Sequence, residues 1–261
     1  MNEFGIETKR TPEDREVAAK KLELARLEAE LAERELDLIT LEVELNEFEQ
    51  LYLRRVGVLY AELDELNARI AEANAKASPN DEYAQNAASE ARAQADKTAR
   101  ETESVKDVEA QEKFKPSDSL KKLYRELARL LHPDLVLDQK EKSRRHELMA
   151  KANKAYAEGD EDLLLRMLAA QQNNADEIIG DGIGAELIRL IRQIARAEDR
   201  LREIDRKFSS LKESDISRLK QEVDEAETNG RDLLSELAAK VEERIVGARQ
   251  RINQSRAKND G

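Results

Sequence analysis

The chain has 261 residues, 39% of them charged and 3% aromatic, with a formal net charge of −12 and no cysteine. The charge disfavours nonspecific binding to nucleic acid or to an anionic membrane. Without cysteine there is no disulfide, thiolate metal site or cysteine nucleophile. Few aromatics, glycines and prolines in a chain dominated by Leu, Ala, Glu, Lys and Arg argue for long helices and coiled coil, not for one large globular core.

Residues 1–10 read as a disordered lead with no apolar signal-peptide core. No apolar run approaches the roughly 20 residues that span a bilayer, so a cytoplasmic protein without a membrane partner is the expectation. Thr11-Pro12-Glu13-Asp14 is a helix start: an N-cap, a proline at the first helical position, then acids at the positive helix end. The helix is expected to run on to about Ala77, a length of about 100 Å.

One apolar stripe in this helix includes Leu24, Leu27, Leu31, Leu38, Leu41, Leu45, Phe48 and Tyr52, then Val56, Leu59, Leu63, Leu66 and Ile70. Its steps alternate between three and four, as in a heptad repeat. Arg34 interrupts it, and the step from Tyr52 to Val56 shifts phase as a stutter does. A second row, Leu22, Leu36, Ile39, Val43, Leu53 and Tyr60, widens the apolar arc and implies more than one neighbouring helix. A second copy of the chain, a helical protein partner, or the C-terminal part of the same chain would supply that cover.

Ser78-Pro79-Asn80-Asp81 is a turn. A seam of small residues follows: Ala84, Ala88, Ala91, Ala95, Thr98, Thr102 and Val105. Residues 11–116 are therefore expected to form an antiparallel coiled-coil hairpin. An alanine-rich linker helix is the alternative, since alanine favours helix without packing.

Residues 117–170 hold the sharpest feature. Ser117 is an N-cap after Pro116, and Leu120, Leu123, Tyr124, Leu127, Leu130 and Leu131 have helical spacing. Lys121, Lys122, Arg125 and Arg129 fall mainly on the other side. Pro133 stops this helix, and a second begins near Lys140 with Leu148, Met149, Ala152 and Tyr156 facing inward. From Lys121 to Lys154 there are ten Lys/Arg against five Asp/Glu, a basic island in an acidic chain that suits an acidic partner surface. The plainer reading is a solvated helix face.

Residues 171–184 read as a linker punctuated by Gly180, Gly182 and Gly184. GDGIG lacks the following Lys-Ser/Thr and the preceding strand of a phosphate loop. Residues 185–256 carry two further seams, from Leu187 to Leu211 and from Ile216 to Ile252, expected to form a second coiled-coil hairpin, with a bent long helix as the alternative and Gly230 at a seam position. Residues 257–261 are a tail. The fold class is all-α: long antiparallel coiled-coil hairpins flanking a small helix pair.

The chain has two histidines, His132 and His146, too few for a histidine metal cluster. His132-Pro133-Asp134 lacks the nucleophile and oxyanion stabiliser of a hydrolase, and no catalytic residue is assigned. On its own, His132 suits a helix C-cap. His146, beside Arg144, Arg145 and Glu147, reads as solvated.

LKKLYRELARLLHPDL, followed at the right distance by LMAKANKAY, resembles the J-domain of DnaJ-like co-chaperones. The match includes Tyr124-Arg125, Leu127-Ala128, His132-Pro133-Asp134, Asn153, Ala155 and Tyr156, and covers about one fifth of the chain. The resemblance implies a co-chaperone, not an enzyme, without nucleotide, metal or other cofactor of its own. His132, Pro133 and Asp134 would engage a DnaK-class ATPase chaperone and stimulate its ATP hydrolysis. Lys121, Lys122, Arg125 and Arg129 would meet that partner's acidic surface. Because His132 and Asp134 sit in a loop after a proline stop, neither is expected to be central to the core, and His132→Gln or Asp134→Asn should leave helicity and melting nearly unchanged.

The chain departs from the family in two places. No tyrosine-rich first helix ending in Leu-Gly-Val precedes Ser117, where only Phe114 offers an aromatic. After Tyr156 a new helix with Leu163, Leu164, Leu165 and Leu168 begins, so that helix or the preceding coil is expected to cover the pair. The competing function is a structural coiled-coil scaffold in which this segment is a packing module. A nucleic-acid binder rests on the basic island alone and is disfavoured by net charge and scarce aromatics.

Overall fold

The computed structural model describes residues 11–103, 105, 114–136, 138–172 and 182–259, with side chains described through 254. The lead at 1–10, most of the linker at 171–184 and the last two residues of the tail lie outside the described residues. Among the described residues all regular structure is helical, in keeping with the all-α expectation. The helices are α1 (Pro12–Tyr52), α2 (Val58–Ala77), α3 (Glu82–Glu103), α4 (Asp118–Leu131), α5 (Gln139–Glu158), α6 (Glu161–Gln172), α7 (Gly182–Lys212), α8 (Asp215–Thr228) and α9 (Leu233–Asn259). No described helix is long and apolar enough to cross a membrane.

The chain divides into two compact units. One comprises Met1–Val43 and Phe114–Lys212, the other Glu44–Lys113 and Glu213–Gly261. The boundaries thus differ from a partition in chain order: α1 supplies side chains to both units, and the segment at 185–256 is split between them.

In the first unit α1 carries two adjacent apolar rows. Val17, Leu24, Leu31 and Leu38, seven residues apart, pack with Leu190, Ile194, Ala197 and Ile204 of α7. The ion pairs Lys21–Glu186, Glu35–Arg200 and Glu42–Lys207 keep one separation of 165 positions, so the two helices run parallel. A parallel pair needs a long connection, and here everything from α2 to α6 lies between the two helices in sequence. The α7 seam is therefore satisfied by α1.

The other α1 row, Ala32, Leu36, Ile39 and Val43, packs against α4, α5 and α6 through side chains including Leu120, Tyr124, Leu127, Tyr156 and Leu164. Each such burial contributes about 1.5–3 kcal/mol. This covers Leu36, Ile39 and Val43 of the second row within the chain, and that cover comes from the central helices. Tyr60 of that row packs in the second unit, and Leu22 is left 75% exposed.

In the second unit α2 and α3 form an antiparallel pair around the turn at Ser78–Asp81. Asp81 caps α3 through the Tyr83 and Ala84 amides. Arg92 of α3 bridges Glu65 and Glu72 of α2, and Ala88, Ala95 and Thr102 are buried along the small-residue seam. The other side of α2 packs with α8 and α9 through Val56, Leu63, Val223, Leu234, Val241 and Ile245.

The phase shift after Tyr52 is absorbed by one π-helical turn, Leu53–Gly57, joining α1 to α2. A π turn takes up the extra residue without breaking the helix. A Cβ on Gly57 would lie 3.0 Å from Leu53 Cδ2 and 3.3 Å from Thr102 Cγ2, so glycine permits the close approach of α3. Gly230 is not a seam residue. It ends α8 with φ +74°, while the Arg231 amide donates to the Ala226 carbonyl, closing the helix in the manner glycine favours.

Candidate functional site: the His-Pro-Asp loop

Ser117 caps α4 by accepting from the Leu120 amide at 2.9 Å, and its hydroxyl also bonds Glu161 at the start of α6. α4 buries Leu120, Leu123, Tyr124, Leu127, Ala128 and Leu131. Leu130 is the exception to the expected inward set, at 46% exposure. The Tyr124 hydroxyl donates to Asn153 Oδ1 of α5 at 2.8 Å. Tyr156 packs on Tyr124 and Phe114, with ring centroids 4.9 Å and 5.5 Å away, and its hydroxyl is 2.8 Å from Thr40 Oγ1 of α1. Both tyrosines are core residues, and burial pushes the Tyr124 phenol well above its ordinary range. The aromatic place before Ser117 is filled by Phe114.

His132 ends α4 with φ −58° and ψ 120°, the extended ψ that a following proline requires. Pro133–Leu135 then form a single 3-10 turn. The Asp134 amide donates to His132 Nδ1 at 3.2 Å. That leaves Nε2 to carry the proton of a neutral ring and to donate to Glu35 Oε1 of α1, also at 3.2 Å. The same carboxylate oxygen accepts from Arg200 of α7, from Nε at 3.0 Å and from a terminal nitrogen at 2.8 Å. Asp134 pairs with Lys142 of α5 at 2.8 Å, with Arg200 Nε 3.9 Å away. Gln193 and Arg196 of α7 donate to the carbonyls of Leu135 and Val136 at 2.8 Å and 2.7 Å.

This corrects the expectation that the loop stands outside the core. The His132 side chain is 3% exposed and that of Glu35 10%. Burial raises the Glu35 carboxyl, but donation from His132 and the Arg200 guanidinium outweighs it, and the group is held below the ordinary carboxylate range. Asp134 behaves alike: burial opposes ionisation, and the Lys142 ammonium leads the groups that overcome it. Asp134 keeps partial exposure, and His146 is exposed as expected.

The basic face of α4 is also partly engaged from within the chain. Arg125 pairs with Glu33 at 3.1 Å, and Arg129 lies 4.0 Å from Glu28, both acids on α1. Lys122 is exposed and Lys121 half-buried. Among the described residues no group of three His, Asp or Glu side chains is placed to hold a metal ion. An open depression of about 590 Å³ lies beside the loop, with Leu135, Val136 and Leu168 among its lining and Glu28, Arg129 and Arg145 also on its walls.

Glu35 and Arg200 are the site residues that sequence reasoning missed. The available signal was the pair Arg34-Glu35, charged residues within an otherwise leucine-rich seam. Its meaning depended on which helix would face it. A scan against protein-family models and searches of curated proteins and of solved structures found no match.

Proposed function

We propose that the chain is a J-type co-chaperone whose His132-Pro133-Asp134 loop recruits a DnaK-class ATPase chaperone and stimulates its ATP hydrolysis. The observation that carries this reading is the hairpin of α4 and α5. A basic helix ends in His-Pro-Asp, and the returning helix is tied to it by Tyr124–Asn153. Lys121, Lys122, Arg125 and Arg129 would add electrostatic steering toward an acidic partner. The helices outside the hairpin supply attachment to a client, a scaffold or another copy of the chain.

The scaffold reading has one specific observation in its favour: the His132 ring is buried on Glu35, as a packing module requires. An ATPase assay with purified DnaK-class chaperones separates the two. Stimulation by the wild-type chain that Asp134→Asn abolishes, with circular dichroism unchanged, is the expected result. Stimulation equal in both proteins, or none by either across several chaperones, would leave the scaffold reading.

A further inference from the structure

We infer that the His-Pro-Asp loop is held closed by α1 and α7 of its own chain, and that a chaperone engages it only when α7 lets go. The inference rests on the co-chaperone reading and adds its regulation. The polar groups that a rigid recognition tip would offer are already in use. His132 Nε2 is taken by Glu35, and the carbonyls of Leu135 and Val136 by Gln193 and Arg196. Arg200 closes the set by bonding Glu35 while standing 3.9 Å from Asp134.

The basic face of α4 is treated in the same way. Glu33 and Glu28 present carboxylates to Arg125 and Arg129, the chemistry an acidic partner surface would bring. α1 thus occupies ground that such a partner would need. Two sets of acids cannot pair with the same arginines at once, so partner binding and closure compete.

The closure is reversible by construction. The loop meets α7 through polar side chains and through Leu135, which is buried beside Leu190 and Ile194; the Arg200 side chain is 31% exposed, so water competes for its bonds. The apolar seam of Leu190, Ile194 and Ala197 joins α7 to α1 and does not depend on those bonds. Release of the loop therefore need not unfold the helix pair, at the cost of withdrawing the one side chain of Leu135 from it. A closed majority lowers apparent affinity for the chaperone by the fraction of molecules that are open.

The test uses the full chain with Gln193→Ala, Arg196→Ala and Arg200→Ala combined, all on α7 and outside the chaperone-binding set. Because the chain has no cysteine, Val136→Cys adds a single thiol whose maleimide labelling rate reports loop opening. The triple variant should label about tenfold faster and reach half-maximal ATPase stimulation at about tenfold lower concentration. Faster labelling with an unchanged half-maximal concentration, while Asp134→Asn still abolishes stimulation, overturns the closure and leaves the co-chaperone reading standing. Faster labelling with no stimulation by any form removes both. Unchanged labelling shows that α7 does not hold the loop and overturns the inference. Should the triple variant lose its circular dichroism signal, Arg200→Ala alone is read by the same two measurements and the same outcomes.

Discussion

Glu35→Ala is the most informative single change in the loop's surroundings. One carboxylate oxygen accepts three hydrogen bonds, one from His132 and two from Arg200. Hydrogen bonds to a charged group contribute about 1.5–3 kcal/mol, and a stranded buried donor costs about 1–3 kcal/mol. His132 is left without an acceptor at 3% exposure, whereas Arg200 at 31% is rehydrated in part. The expected loss is about 2–4 kcal/mol, toward the lower part of the range for breaking a buried pair. For a unit of this size that corresponds to a fall in melting temperature of about 2–4 °C per kcal/mol. Urea unfolding followed by circular dichroism measures the loss. A cycle with Arg200→Ala should show a coupling of about 0.5–3 kcal/mol. A loss below about 0.5 kcal/mol, or strictly additive single variants, would refute the view that Glu35 anchors the loop.

The pH dependence follows from Glu35 and Asp134, both held below their ordinary values. Their contribution is fully present above the unfolded carboxylate pKa of about 4 and is lost as pH falls through the lower folded values. Glu35→Gln should flatten that acid limb in urea titrations at successive pH values, and an unchanged limb would contradict the assignment. Tyr156→Phe removes the contact with Thr40 and should cost about 1 kcal/mol, read as a shift in the urea midpoint at constant slope. Gly57→Val places branched carbons against Leu53 and Thr102 and should cost about 1–3 kcal/mol by overpacking, whereas thermal melting unchanged from wild type would show that α3 does not press on this turn. His132→Gln should lower the melting temperature, contrary to the expectation from an exposed loop, because the replaced ring is buried between Glu35 and the Asp134 amide.

Helix identity was legible residue by residue because it depends on neighbours three and four positions away. The caps at Ser117 and the Thr11-Pro12 start, the proline stop after His132 and the inward faces of Tyr124 and Tyr156 all follow from local rules. The phase shift at Tyr52–Val56 was likewise readable, and its structural form is a π turn. The two apolar rows on α1 announced two neighbours, but an apolar stripe carries no label naming its partner. Any leucine seam of similar length satisfies it, and sequence order alone favours pairing α7 with the seam that follows it. Tertiary structure chose α1 instead, in parallel, and placed α4–α6 on the adjacent row. That choice also decided the state of the loop. His132-Pro133-Asp134 is specified by three adjacent letters, whereas its burial comes from Glu35 and Arg200, which lie 165 positions apart and meet only because two distant helices share a seam.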